Sequence, residues 1–259
     1  MRPTKRFQEK LAYSVNERLI NWLIGLLGVV AVLVGIMLPE NIDPTWEAVI
    51  VSVGASLIAS AVVSYLSSIY MYKRKQAKEI TEVWGLCSIC ETRAEMNAIV
   101  TERLKTAEDH LDIIAFGLKS FRETRQNILK ERIEHGMILR IITVNPNCAL
   151  LKQKDMDEEK VEGSTAKSIK ELCKWIVELK RIKNAQVEIK FCNTLPTEVY
   201  FRIDNYIYVG PYQLNRESQR AITMEYRTTG EAFKYYQNYF ELLWSNNSFC
   251  KTDTTILNQ

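Results

Sequence analysis

Cys87 and Cys90 stand three positions apart in CSIC, a spacing that suits a dithiol redox pair or one half of a zinc site. A zinc centre needs four ligands, and here the matching second pair is missing. The chain has six cysteines and only two histidines, His110 and His135. No metal and no cofactor is therefore expected. The thiols are read as reduced, buried and inert, since free cysteine is among the most buried residue types. Cys173 fits that reading, falling in step with Ile169, Leu172 and Ile176 on one helical face. A second spaced set is hydroxylic: Ser52, Ser56, Ser60, Ser64 and Ser68 recur at every fourth position of the apolar stretch VSVGASLIASAVVSYLSS. Such a row follows one ridge of a helix.

The elements that carry these residues divide the chain. Leu19 to Leu38 is an uncharged run of 20 residues ended by Pro39, and Ala48 to Tyr72 is a second uncharged run. At about 1.5 Å rise per residue, 20 residues span a hydrocarbon core of roughly 30 Å. Arg2, Lys5, Arg6, Lys10 and Arg18 precede the first run, and Lys73, Arg74, Lys75 and Lys78 follow the second. The connection PENIDPTWE carries no Lys or Arg, and its charged residues are Glu40, Asp43 and Glu47. Positive-inside reasoning then places both termini and the following domain in the cytoplasm, joined by a short external hairpin. Overall charge says little about partners, with 34 Lys and Arg against 31 Asp and Glu.

Residues 1–72 are thus read as an N-terminal segment with a transmembrane hairpin, 73–250 as a linker helix and soluble domain, and 251–259 as a disordered tail. The linker reads as helical from Lys73 to about Ala107, broken near Gly85. Beyond it, strands LDIIAFG, MILRIITVNPN and QVEIKFC alternate with helices, and EVYFRI, YIYVG and AITMEY form a meander. Gly230 to Trp244 closes with an aromatic-rich helix. The expected fold class is α/β with a mixed sheet.

The order of these motifs resembles the phospholipase D-like superfamily. IIAFG, a helix and then HGMILRIITVNPN resemble that family's opening, and VYFRIDNYIYVGPYQLN resembles its signature strand pair. Asp204 matches the family's Asp, Gly210 its Gly, and Asn215 its Asn. The closing stretch from Gly230 to Trp244 looks like a non-catalytic branch attached to regulators. Counting back from Asp204, the family's nucleophilic His falls at Thr197 and its Lys at Val199. Thr and Val supply neither the imidazole nucleophile of that chemistry nor a cation to hold the phosphate charge. The resemblance therefore implies a former catalytic cleft used for binding, and no enzyme.

Ligands of such sheets lie beyond the carboxyl ends of the strands. The candidates there are Gly117, Lys119 and Ser120 after the first strand, Asn145 and Asn147 after the second, and Tyr200, Arg202, Tyr212 and Asn215 from the last pair. Arg and Lys for phosphate, Tyr for stacking and Asn for base edges suit a nucleotide. Arg202 could instead pair with Asp204 or Glu225 on a sheet surface, and Arg93 is either a cleft residue or a helix-surface charge, with the surface preferred. For the serine ridge three readings stand: packing against the small surface of Gly25, Gly28 and Gly35, self-association of several hairpins, and a pore lining within such an assembly.

The expectation that joins these parts is a signal-gated membrane effector. The cytoplasmic domain binds a small ligand, such as a nucleotide second messenger, and drives assembly or opening of the hairpins. The architecture looks like prokaryotic two-transmembrane anti-phage effectors in the inner membrane. The expected partners are the lipid bilayer, a small molecule and further copies of this chain, with no nucleic acid polymer. A membrane-tethered scaffold is the alternative, and a phosphodiesterase the third.

Overall fold

In the computed structural model, residues 5–37, 44–213 and 217–257 are described. They form two compact units, Met1–Lys78 and Glu79–Gln259.

The first unit is a helix pair, α1 (Lys5–Ile36) and α2 (Pro44–Lys78). Leu19–Ile36 and a stretch of α2 are each long and apolar enough to cross a membrane. Glycine lets the two backbones touch. A Cβ added to Gly28 would lie 2.8 Å from the Gly54 carbonyl oxygen, and one added to Gly54 would lie 2.8 Å from that of Gly28. Gly25 faces Ala61, and Gly35 faces Val51. The α2 side of this contact is therefore Val51, Gly54, Ile58 and Ala61, and not the serine ridge. Ser52, Ser56, Ser60 and Ser64 are all exposed. The expectation that the ridge packs on the first helix is thus corrected: backbone approach at Gly28 and Gly54 turns the hydroxyls outward. Ser68 is partly buried, and its hydroxyl donates back to the Tyr65 carbonyl at 2.8 Å.

The second unit opens with a π-helical turn (Glu79–Val83), followed by strand β1 (Leu86–Cys90) and α3 (Arg93–Leu104). The break expected near Gly85 is present, but a strand and not helix follows it, because Leu86–Cys90 pairs antiparallel with a strand at Thr223–Arg227. Then come β2 (His110–Ile114), α4 (Lys119–Glu134), β3 (Ile138–Val144), α5 (Leu150–Asp157), α6 (Ser164–Leu179) and β4 (Val187–Cys192). The chain ends with β5 (Glu198–Ile203), β6 (Tyr206–Pro211), β7 (Thr223–Arg227), α7 (Glu231–Ser245), β8 (Cys250–Lys251) and α8 (Thr254–Leu257).

These strands make one mixed sheet in the order β1-β7-β6-β5-β2-β3-β4-β8. Its centre β2-β3-β4 is parallel, and every other pairing is antiparallel. The parallel strands are joined through helices, as they must be. One sheet face buries Leu111, Ile113, Leu139, Ile141, Val199 and Phe201 in a cluster with residues of α3, α4 and α6. The expected stripe of α6 is there: Ile169, Leu172, Cys173 and Ile176 are buried. The other face buries Ile114, Ile142, Tyr200 and Ile207 with Phe233 and Phe240 of α7.

The C-terminal tail is ordered through Leu257, against expectation, because β8 pairs with β4 and Ile256 is buried against the main core. Cys192 and Cys250 form a disulfide between those two strands. The reading of six free thiols is corrected accordingly: Cys87, Cys90, Cys148 and Cys173 are free, and Cys87 is exposed.

Candidate ligand-binding cleft

A cavity of about 610 Å³ opens past the carboxyl end of β2, floored by Ala115, Phe116 and Gly117. Gly117 is needed there for close approach, since a Cβ would sit 1.9 Å from the Ser168 hydroxyl of α6. Leu118 then adopts a left-handed conformation (φ 51°) and starts α4 at Lys119. Val199 and Phe201 line the wall from β5. Tyr212 enters because its backbone N–H donates to the Thr197 carbonyl at 2.8 Å, holding it just past the end of β6. Tyr212 meets Phe116 edge-on, with ring centroids 4.9 Å apart.

Of the residues expected to bind, Gly117, Lys119, Ser120 and Tyr212 line this cavity together. Tyr200 and Arg202 do not. Successive strand residues point to opposite faces, so the neighbours of Val199 and Phe201 turn toward α7. Tyr200 stacks on Phe240 at 5.3 Å. Arg202 donates to Asp112 at 3.4 Å and to the Asp204 carbonyl, so its carboxylate partner is neither Asp204 nor Glu225. Asn145 accepts from the Asn147 backbone N–H at 2.9 Å, a turn outside the cavity lining. Asn215 lies outside the described residues.

Asp204 occupies the end of the sheet away from the cavity. Its backbone is left-handed (φ 45°), and its carboxylate accepts the N–H groups of Glu108, Asp109 and His110 at 2.8 to 3.0 Å. It fixes the entry to β2. His110 begins β2 and His135 follows α4, so neither histidine lines the cavity. Cys87 is exposed and Cys90 buried, and no group of three or more His, Cys, Asp or Glu able to hold a metal occurs among the described residues.

Of the charged lining, Lys119 alone was named as a candidate from sequence. Arg93, expected at the surface, is only 6% exposed and lies 4.5 Å over the Tyr212 ring. Lys154 of α5 is 5% exposed, stands 4.7 Å over the same ring and pairs with Glu158 at 2.8 Å. Glu158 also accepts from Lys160 at 2.5 Å and from the Ser218 hydroxyl. Burial acts to raise the Glu158 pKa, but these hydrogen bonds prevail and hold it down to about 2. Burial foremost raises the Tyr212 phenol, with Glu158 adding to it and Arg93 opposing. Lys154 and Glu158 were visible only as an i,i+4 pair, a pattern that on most helices marks a solvated face. In all, five lining side chains are Lys or Arg and three are Glu, leaving the cavity cationic.

Across the sheet, under α7, lies a separate charge network. Asp112 is fully buried and accepts from Arg140 at 2.7 and 2.8 Å, while Arg140 also donates to Glu241. Burial works against the Arg140 cation, but Asp112 and Glu241 keep its pKa raised.

No protein-family model and no curated protein matches the chain. Among solved structures it is similar to TrmBL2, described as an archaeal chromatin protein with a novel mode of DNA binding, at 11% identity over 74% of this chain and 69% of that one (TM-score 0.41). It is similar to NucT from Helicobacter pylori at 13% identity, covering 64% of this chain and 98% of that one (TM-score 0.40). A third is the phosphatidylserine synthase of Haemophilus influenzae Rd KW20, at 9% identity, covering 68% and 42% (TM-score 0.42). At these scores the likenesses assign neither a family nor an activity to this chain.

Proposed function

We propose that this chain is a membrane-anchored effector of the phospholipase D-like type without its catalysis. Its α/β domain binds a small anionic ligand of nucleotide kind in the cleft, and occupancy drives assembly or opening of the hairpins in a prokaryotic inner membrane. The observation that carries this is the cationic cavity of about 610 Å³ at the carboxyl end of β2. Where the family's His and Lys would stand, the chain has Thr197 and Val199. Two apolar helices and an outward serine ridge supply an anchor and a face for further copies. The anti-phage setting rests on this pairing of anchor and sensor.

The test purifies the full chain in detergent and identifies co-purifying small molecules by mass spectrometry, alongside membrane depolarisation on overexpression. The reading holds if a phosphorylated metabolite co-purifies and depolarisation needs the α/β domain. A hairpin that depolarises equally well without that domain removes ligand gating. Cleavage of a generic phosphodiester at a rate sensitive to Thr197→Ala would restore an enzymatic reading.

One observation favours the reverse orientation: the Cys192–Cys250 disulfide suits an oxidising compartment, whereas the basic flanks favour the cytoplasm. Exposed Cys87 is a built-in reporter. A membrane-impermeant maleimide should label it in inverted vesicles and not in intact spheroplasts if the domain is cytoplasmic, and the opposite pattern reverses the topology.

A further inference from the structure

We propose that the cleft's anchoring subsite takes a phosphate group, held where the amino ends of α3 and α4 converge, by Arg93, Lys119 and the free amides of the first turn of α4. This rests on the cleft being the ligand site, and it adds which atoms recognise which chemistry.

Arg93 is the first indication. Its Nε is buried with no hydrogen-bond partner among the described residues. Its Nη2 donates to the Pro211 carbonyl at 3.4 Å and its guanidinium lies over the Tyr212 ring, so among the described residues its contacts are with neutral groups. The other buried cations are satisfied differently. Lys154 has Glu158, and Arg125 donates to Thr101, Thr124 and the Asn97 carbonyl. A guanidinium held out of water without a counter-charge is costly, and a bound anion would supply one.

The start of α4 is the second. α3 is capped by the Thr92 side chain, and the start of α6 by Asp155, which accepts from Gly163 and Thr165. α4 has no side-chain cap and no acid in its first turn. Its 16 residues leave a positive dipole end and open N–H groups beside the cavity.

The two features share one end of the domain. Arg125 of α4 bonds Asn97 and Thr101 of α3, so the helices lie side by side beyond the turns that begin with Arg93 and Lys119. Both residues line the same cavity. A planar fork, an ammonium and a set of amides match a tetrahedral dianion with three acceptor oxygens better than a flat carboxylate. The Lys154–Glu158 pair is already balanced and contributes no net charge to this subsite.

A phosphate could arrive on a soluble metabolite or a lipid headgroup, and the test separates them. Full-length protein in detergent is titrated calorimetrically with AMP, adenosine, inorganic phosphate, dihexanoyl phosphatidic acid and dihexanoyl phosphatidylcholine. AMP should bind and adenosine should not, with Arg93→Gln weakening AMP at least tenfold. Arg93→Lys, which keeps charge but loses the fork, should fall between, and Lys180→Gln on the exposed end of α6 should match wild type. Phosphatidic acid binding in place of AMP, with the same Arg93 dependence, keeps the phosphate subsite and makes its source the bilayer. Binding that Arg93→Gln leaves unchanged but Ser120→Trp abolishes overturns the subsite while the cleft remains the ligand site. Failure of every phosphorylated probe also overturns it, and the cleft reading then stands or falls on the co-purified molecule. Thermal melts of each variant show that a loss is not unfolding.

Discussion

Replacing Glu158 with Gln should destabilise the α/β domain in a way that depends on pH. Glu158 is 7% exposed and joins Lys154, Lys160 and Ser218 across the edge of the cleft. Its pKa of about 2 in the folded chain compares with 4.5 for the free group. Because the folded value is the lower one, ionised Glu158 stabilises the fold fully above pH 4.5, and this is lost as pH falls toward 2. The shift corresponds to roughly 3–4 kcal/mol at about 1.4 kcal/mol per unit. Lys160 is solvent-exposed and its share is screened, which lowers the figure to about 2 kcal/mol. The assay is pulse proteolysis of full-length protein in detergent across a urea series, wild type against Glu158→Gln. At pH 7 the variant should lose about 2 kcal/mol, and by pH 3 the difference should fall to less than half. Equal stability at pH 7, or a deficit that persists unchanged to low pH, would refute the reasoning. The same variant should bind AMP more tightly, because it removes a negative charge from the cleft.

Further outcomes follow from other contacts. Asp112→Ala should cost about 3–5 kcal/mol in the same urea assay, because it removes the buried carboxylate shared by Arg140 and Arg202 and leaves Arg140 only Glu241. A Cβ on Gly25 would lie 3.5 Å from that of Ala61, so Gly25→Cys with Ala61→Cys should crosslink within one chain by peptide mass spectrometry. Adding Gly28→Val should abolish that crosslink. Leucine at Ser56 and Ser60 should change oligomer size by native mass spectrometry and leave the hairpin crosslink intact, and an unchanged size would exclude the ridge as an association face. Cys250→Ser opens a disulfide spanning 58 residues of sequence and should cost up to about 4 kcal/mol by chain entropy, read as a lower urea midpoint that reductant no longer shifts.

Local pattern alone determined the type of most segments. Two uncharged runs with basic outer flanks specify a helix pair, and the alternation after residue 110 specifies a mixed α/β sheet. The α6 stripe was legible because burial of Ile169, Leu172, Cys173 and Ile176 follows the helical period. That Gly117, Lys119 and Ser120 lie at a cavity was legible because a strand end followed by a helix start locates a cleft. What each segment faces was decided by long-range pairing. Leu86–Cys90 is a strand only because β7 lies beside it, and the polar tail is ordered only because β4 receives β8. Tyr200 and Arg202 have the chemistry of a nucleotide site but the parity of the α7 face, and the register of β5 against β2 overrules their side-chain type. The serines look like a packing ridge in isolation, yet backbone contact at Gly28 and Gly54 turns them outward. Arg93 was placed at a helix surface from sequence and Glu158 carried no local mark of burial, yet both are buried. Burial of a charged residue is a property of several stretches of chain packed together, and no local pattern shows it.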